Sequence, residues 1–404
     1  MKVDKHLRLQ KAFWVFAQIF VGPVIRLIMN YHCKVTRPKS RVFLALYNHT
    51  DDIDPFYMGI GLRSHMRYVA SSVILEGFAG KLISLLLGPI PRIKAQSADE
   101  TVERMLENLK AGISIALSAE GNRSWDGETM YISPRTAEVA KLSGAGLVTF
   151  RIHGGYLRTP RFAVNKCRGP VFGELVREYS AEELAAMSTE EIAACIAEDL
   201  YTNAYMDQKD PPQLIRTFMK DQKTMISYKG KAKAENIESI LYICPECEGI
   251  GTLSSQGDEF HCSCGLKGKV NDYGFLEGAL PYDNTVDWNH WQKAYLKEHA
   301  AEFASKEEPV FTDQGAEVHI TKDNERELFA KNAEVLFYPD RVELREQDKT
   351  HCFMMDKISK FGAFRSKRIF FQTAEEYCEL SFDHIVSGMK YEAFWRVLTG
   401  RTYY

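Results

Sequence analysis

The chain has 404 residues, 45% of them hydrophobic and 26% charged, a globular balance that excludes wholesale disorder and a many-helix transporter. A net charge of −3 excludes nucleic acid as the main partner. The average hides a polarity: residues 1–45 hold nine Lys/Arg against the single acid Asp4, so this segment is +8 and the remainder −11.

The first apolar run is Ala12 to Ile25, 14 residues with only Gln18 polar, interrupted by Gly22-Pro23 and followed by Arg26. It falls short of the roughly 20 residues of a membrane span. With Phe13, Trp14, Phe16 and Phe20 beside Lys5, Arg8 and Lys11, residues 1–36 are expected to form an interfacial, membrane-associating helical segment that favours anionic lipid.

Next comes a strand-like run, Arg41–Asn48. Pro55 suits a first helical residue, with Asp54 as N-cap. His65–Ser71 is a second strand. Ser97-Ala98-Asp99-Glu100 fits a capping box ahead of Val102, Met105, Leu106 and Leu109, and Gly112 stops that helix. Ile113–Ser118 is a strand, Ser133-Pro134 opens a helix that ends at Gly144-Ala145-Gly146, and Leu147–Ile152 is a strand. Ser180/Glu183 and Ser188/Glu191 are capping boxes before a helix to about Asp207. Strands alternating with helices predict an α/β domain over 37–210, a mixed sheet flanked by helices. Pro211-Pro212 and Lys229–Lys233 mark a linker over 211–239. A Cys-rich module follows over 240–280. Residues 281–404 read as α+β: a helix around Asp287–Ala304, short β-like runs from Pro309 to Phe382, and a last helix from Asp383 to about Thr399. A small β-sandwich or a pleckstrin-homology-like fold would suit them.

His49 and Asp54 form H-x4-D. On a regular helix, positions i and i+5 stand about 140° apart, so the two meet only if 49–54 turns between strand and helix. There Asp54 could hold the imidazole tautomer while His49 takes a proton. Further on stand Gly88-Pro89-Ile90-Pro91-Arg92-Ile93-Lys94, then a strand running into Ala119-Glu120-Gly121-Asn122-Arg123-Ser124. A tight turn at a strand's C-terminal end is where α/β sites collect, and Arg and Lys there suit a phosphate.

The order Asn48-His49-x4-Asp54, Gly88 to Lys94, Glu120-Gly121-Asn122-Arg123-Ser124, then a strand after Gly144-Ala145-Gly146, resembles the glycerolipid acyltransferases, among them the bacterial 1-acylglycerol-3-phosphate acyltransferases, over about 37–210. The resemblance implies an acyl-CoA or acyl-carrier protein donor and a lysophospholipid acceptor, most directly 1-acylglycerol-3-phosphate. It implies His49 as general base and Asp54 as its orienter. Glu120, Gly121, Asn122, Arg123 and Ser124 would shape the acceptor site, with Arg123 and Lys94 or Arg92 on the glycerol phosphate. It implies no redox or nucleotide cofactor. Asp51 stands where the family has Ser, Ala119 where it has Pro and Asn122 where it has Thr; these changes leave open a different lipid acceptor, or a non-catalytic lipid-binding or zinc-dependent interaction protein on the same fold.

Cys244-x2-Cys247 and Cys262-x-Cys264 resemble a zinc ribbon, whose two Cys pairs would close a tetrahedral site around one structural zinc ion. A hairpin turning at Gln256-Gly257-Asp258 would pair Thr252–Leu253 with Phe260, and His261 is a reserve ligand. The other five cysteines are scattered, which fits a reducing compartment. The expected location is cytoplasmic, peripherally or monotopically attached to the cytoplasmic face of a membrane.

Overall fold

The computed structural model describes residues 6–93, 95–220, 225–364 and 366–401. The chain packs as two compact units, the first made of Met1–Ile93, Ser97–Pro160 and Lys166–Lys229, the second mainly of Gly230–Tyr404 with two short segments from earlier in the chain.

Seven strands organise the first unit: β1 Tyr31–Cys33, β2 Phe43–Tyr47, β3 Arg67–Ser71, β4 Ile90–Arg92, β5 Ile115–Ser118, β6 Gly146–His153 and β7 Val171–Tyr179. Their order is β1-β7-β6-β2-β5-β3-β4. Only β6 and β7 run antiparallel; every other pair is parallel. Because β5, β3 and β4 lie on one side of β2 and β6 lies on the other, β2 is the switch point of the sheet. Crevices open beyond the carboxyl ends of strands at such points. All of β2 is buried, as expected of a strand covered on both faces. Its alternate residues feed two cores: Leu44 and Leu46 meet Met105, Leu109, Ala140 and Ile196 on one face, while Phe43, Ala45 and Tyr47 meet Tyr57, Met58 and Phe150 on the other.

Several local expectations change. Gly22-Pro23 does not break the N-terminal helix. A π-turn at Ala17–Val21 precedes the proline, absorbing its missing N–H, and the helix runs unbroken from Leu7 to Ile28. At 22 residues it is long and apolar enough to cross a membrane by length and composition. It packs beside the Gly77–Leu87 helix, and the two expose Phe16, Ile19, Phe20 and Phe78. Asp54 is the first residue of the Asp54–Leu62 helix and Ile53 its N-cap. The Asp99–Lys110 helix starts at N-cap Ala98 without a side-chain cap; the Ser97 hydroxyl binds the Asp99 carboxylate instead. The capping boxes at Ser180/Glu183 and Ser188/Glu191 form. They open two helices, Ala181–Ala186 and Thr189–Leu200, and a third, Ala204–Lys209, starts on the Asn203 cap, so no single helix reaches Asp207. Within the expected linker, Gln213–Met219 is helical and Tyr228 is buried.

In the second unit, β8 Leu253–Gln256, β9 Glu259–Cys262, β10 Lys267–Val270 and β11 Leu276–Gly278 form an antiparallel sheet. The β8–β9 hairpin turns at Gly257, whose φ of +66° favours glycine. Phe260 faces Ser255 in the register and Leu253 faces Cys262, so the hairpin is shifted by at least two residues from the expected pairing. The Thr285–Glu298 helix anchors the base of this module. Trp288 Nε1 donates to Ile243 O, and Gln292 accepts from the N–H groups of Tyr242 and Ile243. Then β12 Phe311–Lys322, β13 Glu325–Phe337, β14 Arg341–Glu346, β15 Lys349–Met354, β16 Lys360–Phe364, β17 Arg368–Gln372 and β18 Glu376–Ser381 form one antiparallel sheet in the order β15-β14-β13-β12-β18-β17-β16. The Gly388–Leu398 helix, capped by Ser387 rather than starting at Asp383, closes it with Tyr391, Phe394 and Trp395 buried.

Candidate active site

β2 ends at Tyr47, and the chain turns through 48–53 before the next helix begins. Asn48, fully buried, fixes the start of that turn. Its side-chain amide donates to Ile152 O at 2.9 Å and its oxygen accepts from Ile152 N at 2.8 Å, stitching β2 to β6. His49 then faces outward with its side chain 22% exposed, while Asp54 behind it is fully buried. Nδ1 of His49 lies 2.9 Å from Asp54 Oδ2. The same carboxylate accepts from Thr50 N at 2.5 Å, Asp51 N at 2.8 Å and the Thr50 hydroxyl at 3.1 Å. These donors orient Asp54 as an acceptor. Nδ1–H must therefore donate to it, leaving Nε2 as the nitrogen that can take a proton. The turn thus brings together the H-x4-D pair.

The second wall comes from the end of β5. Glu120 is 8% exposed, and each of its oxygens accepts a backbone N–H at 2.5 Å, one from His49 and one from Met130. Burial raises the Glu120 carboxyl to about 8; those two N–H groups oppose the shift, and Asp54 and Asp126 add to it. Glu120 is therefore a strap across the His49 turn. Gly121 follows with φ +70°, which lets the chain reverse. Ser124 N donates to His49 O at 2.8 Å, and the Ser124 hydroxyl donates to Glu128 O. Arg123 Nε donates to Thr50 O at 3.1 Å and Nη2 to Thr159 O, while Nη1 stands 3.6 Å from Asp52. Arg123 thereby ties the His49 turn to the chain at Thr159. Arg92, at the end of β4, turns Nη1 toward the carbonyls of Ile93 and Ser97. Asn122 is half-buried beside Arg123 in sequence, and Lys94 lies outside the described residues.

Thr50, Gly155 and the His153–Asp207 pair, which the sequence did not single out, and Asp51, which it did, complete the arrangement. Thr50 caps Asp54. Asp51 is buried and accepts from the Thr159 hydroxyl at 3.1 Å; burial and Asp54 push its carboxyl up, against Arg123 and Lys166. Gly155, after β6, leaves room for Thr50, since a Cβ there would stand 2.1 Å from the Thr50 hydroxyl oxygen. A second His–Asp pair joins His153 Nδ1 to Asp207 Oδ2 at 2.6 Å; its histidine is buried, 2% exposed, and its aspartate reaches the surface. An H-x4-D search cannot see a pair 54 residues apart.

In the second unit the sulfurs of Cys244, Cys247, Cys262 and Cys264 all lie within 4.8 Å of one another. Cys244 and Cys264 are 3.8 Å apart, Cys247 and Cys262 3.7 Å. Zinc–sulfur bonds of about 2.3 Å in a tetrahedron place sulfurs about 3.8 Å apart, so the four thiols fit such an ion despite the single spacer in the second pair. His261 turns away to Ser254, with Nε2 3.1 Å from the hydroxyl.

No family model and no curated protein matches the chain. Among solved structures, the 1-acyl-sn-glycerophosphate (LPA) acyltransferase PlsC from Thermotoga maritima is 18% identical, over 49% of this chain and 80% of its own, with a TM-score of 0.41. A chain of the 8S snRNP assembly intermediate is 10% identical, over 24% of this chain and 86% of its own, with a TM-score of 0.20. Inner membrane complex sub-compartment protein 3 from Toxoplasma gondii is 12% identical, over 26% and 86%, with a TM-score of 0.18.

Proposed function

We propose that the first unit is an O-acyltransferase that moves a fatty acyl group from acyl-CoA or acyl-carrier protein to a lysophospholipid hydroxyl. The observation that carries this reading is the His49–Asp54 pair: a 2.9 Å contact on a fully buried, multiply hydrogen-bonded carboxylate at the switch point of the sheet. His49 Nε2 takes the proton of the acceptor hydroxyl as its oxygen attacks the thioester carbonyl. The carbon–sulfur bond then breaks, and the departing thiolate receives that proton back from His49. Asp54 stabilises the imidazolium between the two transfers. No acyl-enzyme is needed.

Glu120, Gly121, Asn122, Arg123 and Ser124 form the acceptor wall, with Arg92 as a further cation. Arg123 acts mainly through the backbone it braces, and Asp52, 3.6 Å from its Nη1, competes with a phosphate there. That competition favours a lysophospholipid range wider than 1-acylglycerol-3-phosphate alone. The four-cysteine cluster holds one structural zinc ion. The four-strand and three-strand antiparallel runs with a closing helix support a pleckstrin-homology-like reading of the C-terminal sheet. The exposed apolar faces of the Leu7–Ile28 and Gly77–Leu87 helices support attachment to a membrane surface, on its cytoplasmic side given cysteines that form no disulfide among the described residues. The test is purified protein with labelled acyl-CoA or acyl-carrier protein and a panel of lysophospholipids. Ester formed on a lysophospholipid supports the reading. A folded protein that acylates no member of the panel contradicts it.

A further inference from the structure

At the start of β7 and β1 lies a cavity of about 690 Å³, lined by Arg158, Lys166, Arg168, Asn30, Gly169 and Ile28 among others. Three cations line it and no carboxylate does. Arg158 is only 7% exposed. It donates to Gly169 O at 2.8 Å and to Ile28 O at 3.2 Å, yet its Nε is buried with no hydrogen-bond partner among the described residues. Three cations around one cavity that no carboxylate lines suit an anion. Lys166 and Arg168 are exposed and stand at its mouth.

Position narrows the anion. β7 runs antiparallel to β6 and β1 runs parallel to β7, so the cavity opens on the sheet edge that carries His49. The last turn of the apolar N-terminal helix forms its flank, with Leu27 84% and Ile28 64% exposed. A soluble anion would leave that flank in water; the tails of a lipid would cover it. We propose that this cavity binds the phosphate of a membrane phospholipid, seating the headgroup among Arg158, Lys166 and Arg168 with its chains along Leu27 and Ile28. The proposal stands whether or not His49 transfers an acyl group.

The test is direct binding of monomeric dihexanoyl phosphatidate and, separately, of CoA to the full-length protein. Three proteins are compared: wild type, Lys166→Glu/Arg168→Glu, and Lys110→Glu/Lys141→Glu, whose exposed lysines lie near the opposite sheet edge. The expected result is phosphatidate binding that falls at least tenfold in the first variant and holds in the second, with CoA binding unchanged in both. Wild type that fails to bind phosphatidate, or equal losses in the two variants, would overturn the proposal. So would a loss confined to CoA, which would give the cavity to the donor's phosphates.

Discussion

Four donors converge on one buried carboxylate, and all four come from residues 49–51 of the turn itself. The geometry of Asp54 is therefore set by how the chain is forced to turn, and small residues beside it carry large effects. Gly155→Ala should push Thr50 off Asp54, because the new methyl would overlap the Thr50 hydroxyl. Loss of catalytic alignment is worth about 10²-fold, so turnover should drop by roughly that factor while the melting temperature moves little. Equal activity in wild type and Gly155→Ala would show that Thr50 does not position the pair. Glu120 gives a pH signature. Its folded value of about 8 lies above the ordinary 4.5. Below 4.5 both states hold the proton and nothing changes. Between 4.5 and 8 only the folded state keeps it, so stability falls as pH rises, and above 8 the loss is complete. Denaturation midpoints from pH 5 to 9 should decline through that window in wild type and flatten in Glu120→Gln; parallel curves would place the proton elsewhere.

At the scale of elements, local chemistry was legible where it acts locally. The Ser180 and Ser188 capping boxes, the Gly112 stop and the strands around β2, β5 and β6 all follow from neighbours within a few residues. The pairing of His49 with Asp54 was legible too, because Pro55 fixes the helix start. What escaped depends on distant partners. Asn48 meets Ile152, Thr50 depends on Gly155, and Glu120 takes Met130 N and His49 N together; such contacts leave no periodicity in sequence. The proline at 23 misled for a related reason, since a π-turn one turn earlier can carry it. The resulting helix, with the Gly77–Leu87 helix, exposes Phe16 at 49%, Phe20 at 60% and Phe78 at 84%. Burying a partly exposed phenylalanine is worth about 1–2 kcal/mol. Replacing all three with Ser should therefore weaken co-sedimentation with vesicles by at least a hundredfold, without unfolding the unit. Unchanged partitioning would put the membrane surface elsewhere.

For the whole molecule, the two units divide the chemistry. The second contains the four-thiol cluster and the large antiparallel sheet, and a hairpin module this small buries too little apolar surface to fold well alone. One zinc ion per chain is expected by elemental analysis. Chelation or Cys264→Ser should lower the stability of the second unit while the chemistry at His49 persists; activity that tracked zinc occupancy at constant fold would assign the ion to catalysis. The first unit carries the His49 turn, the exposed apolar helices and the basic cavity, and its proposed activity rests on His49 as the base of an acyl transfer. The most direct measurement is product ester formed from labelled acyl thioester and lysophospholipid by wild-type and His49→Ala full-length protein, each shown to be folded. Wild type should make the ester, and His49→Ala should be slower by about 10²–10⁴, the usual worth of a general base. Transfer by a folded His49→Ala protein at the wild-type rate would contradict the account.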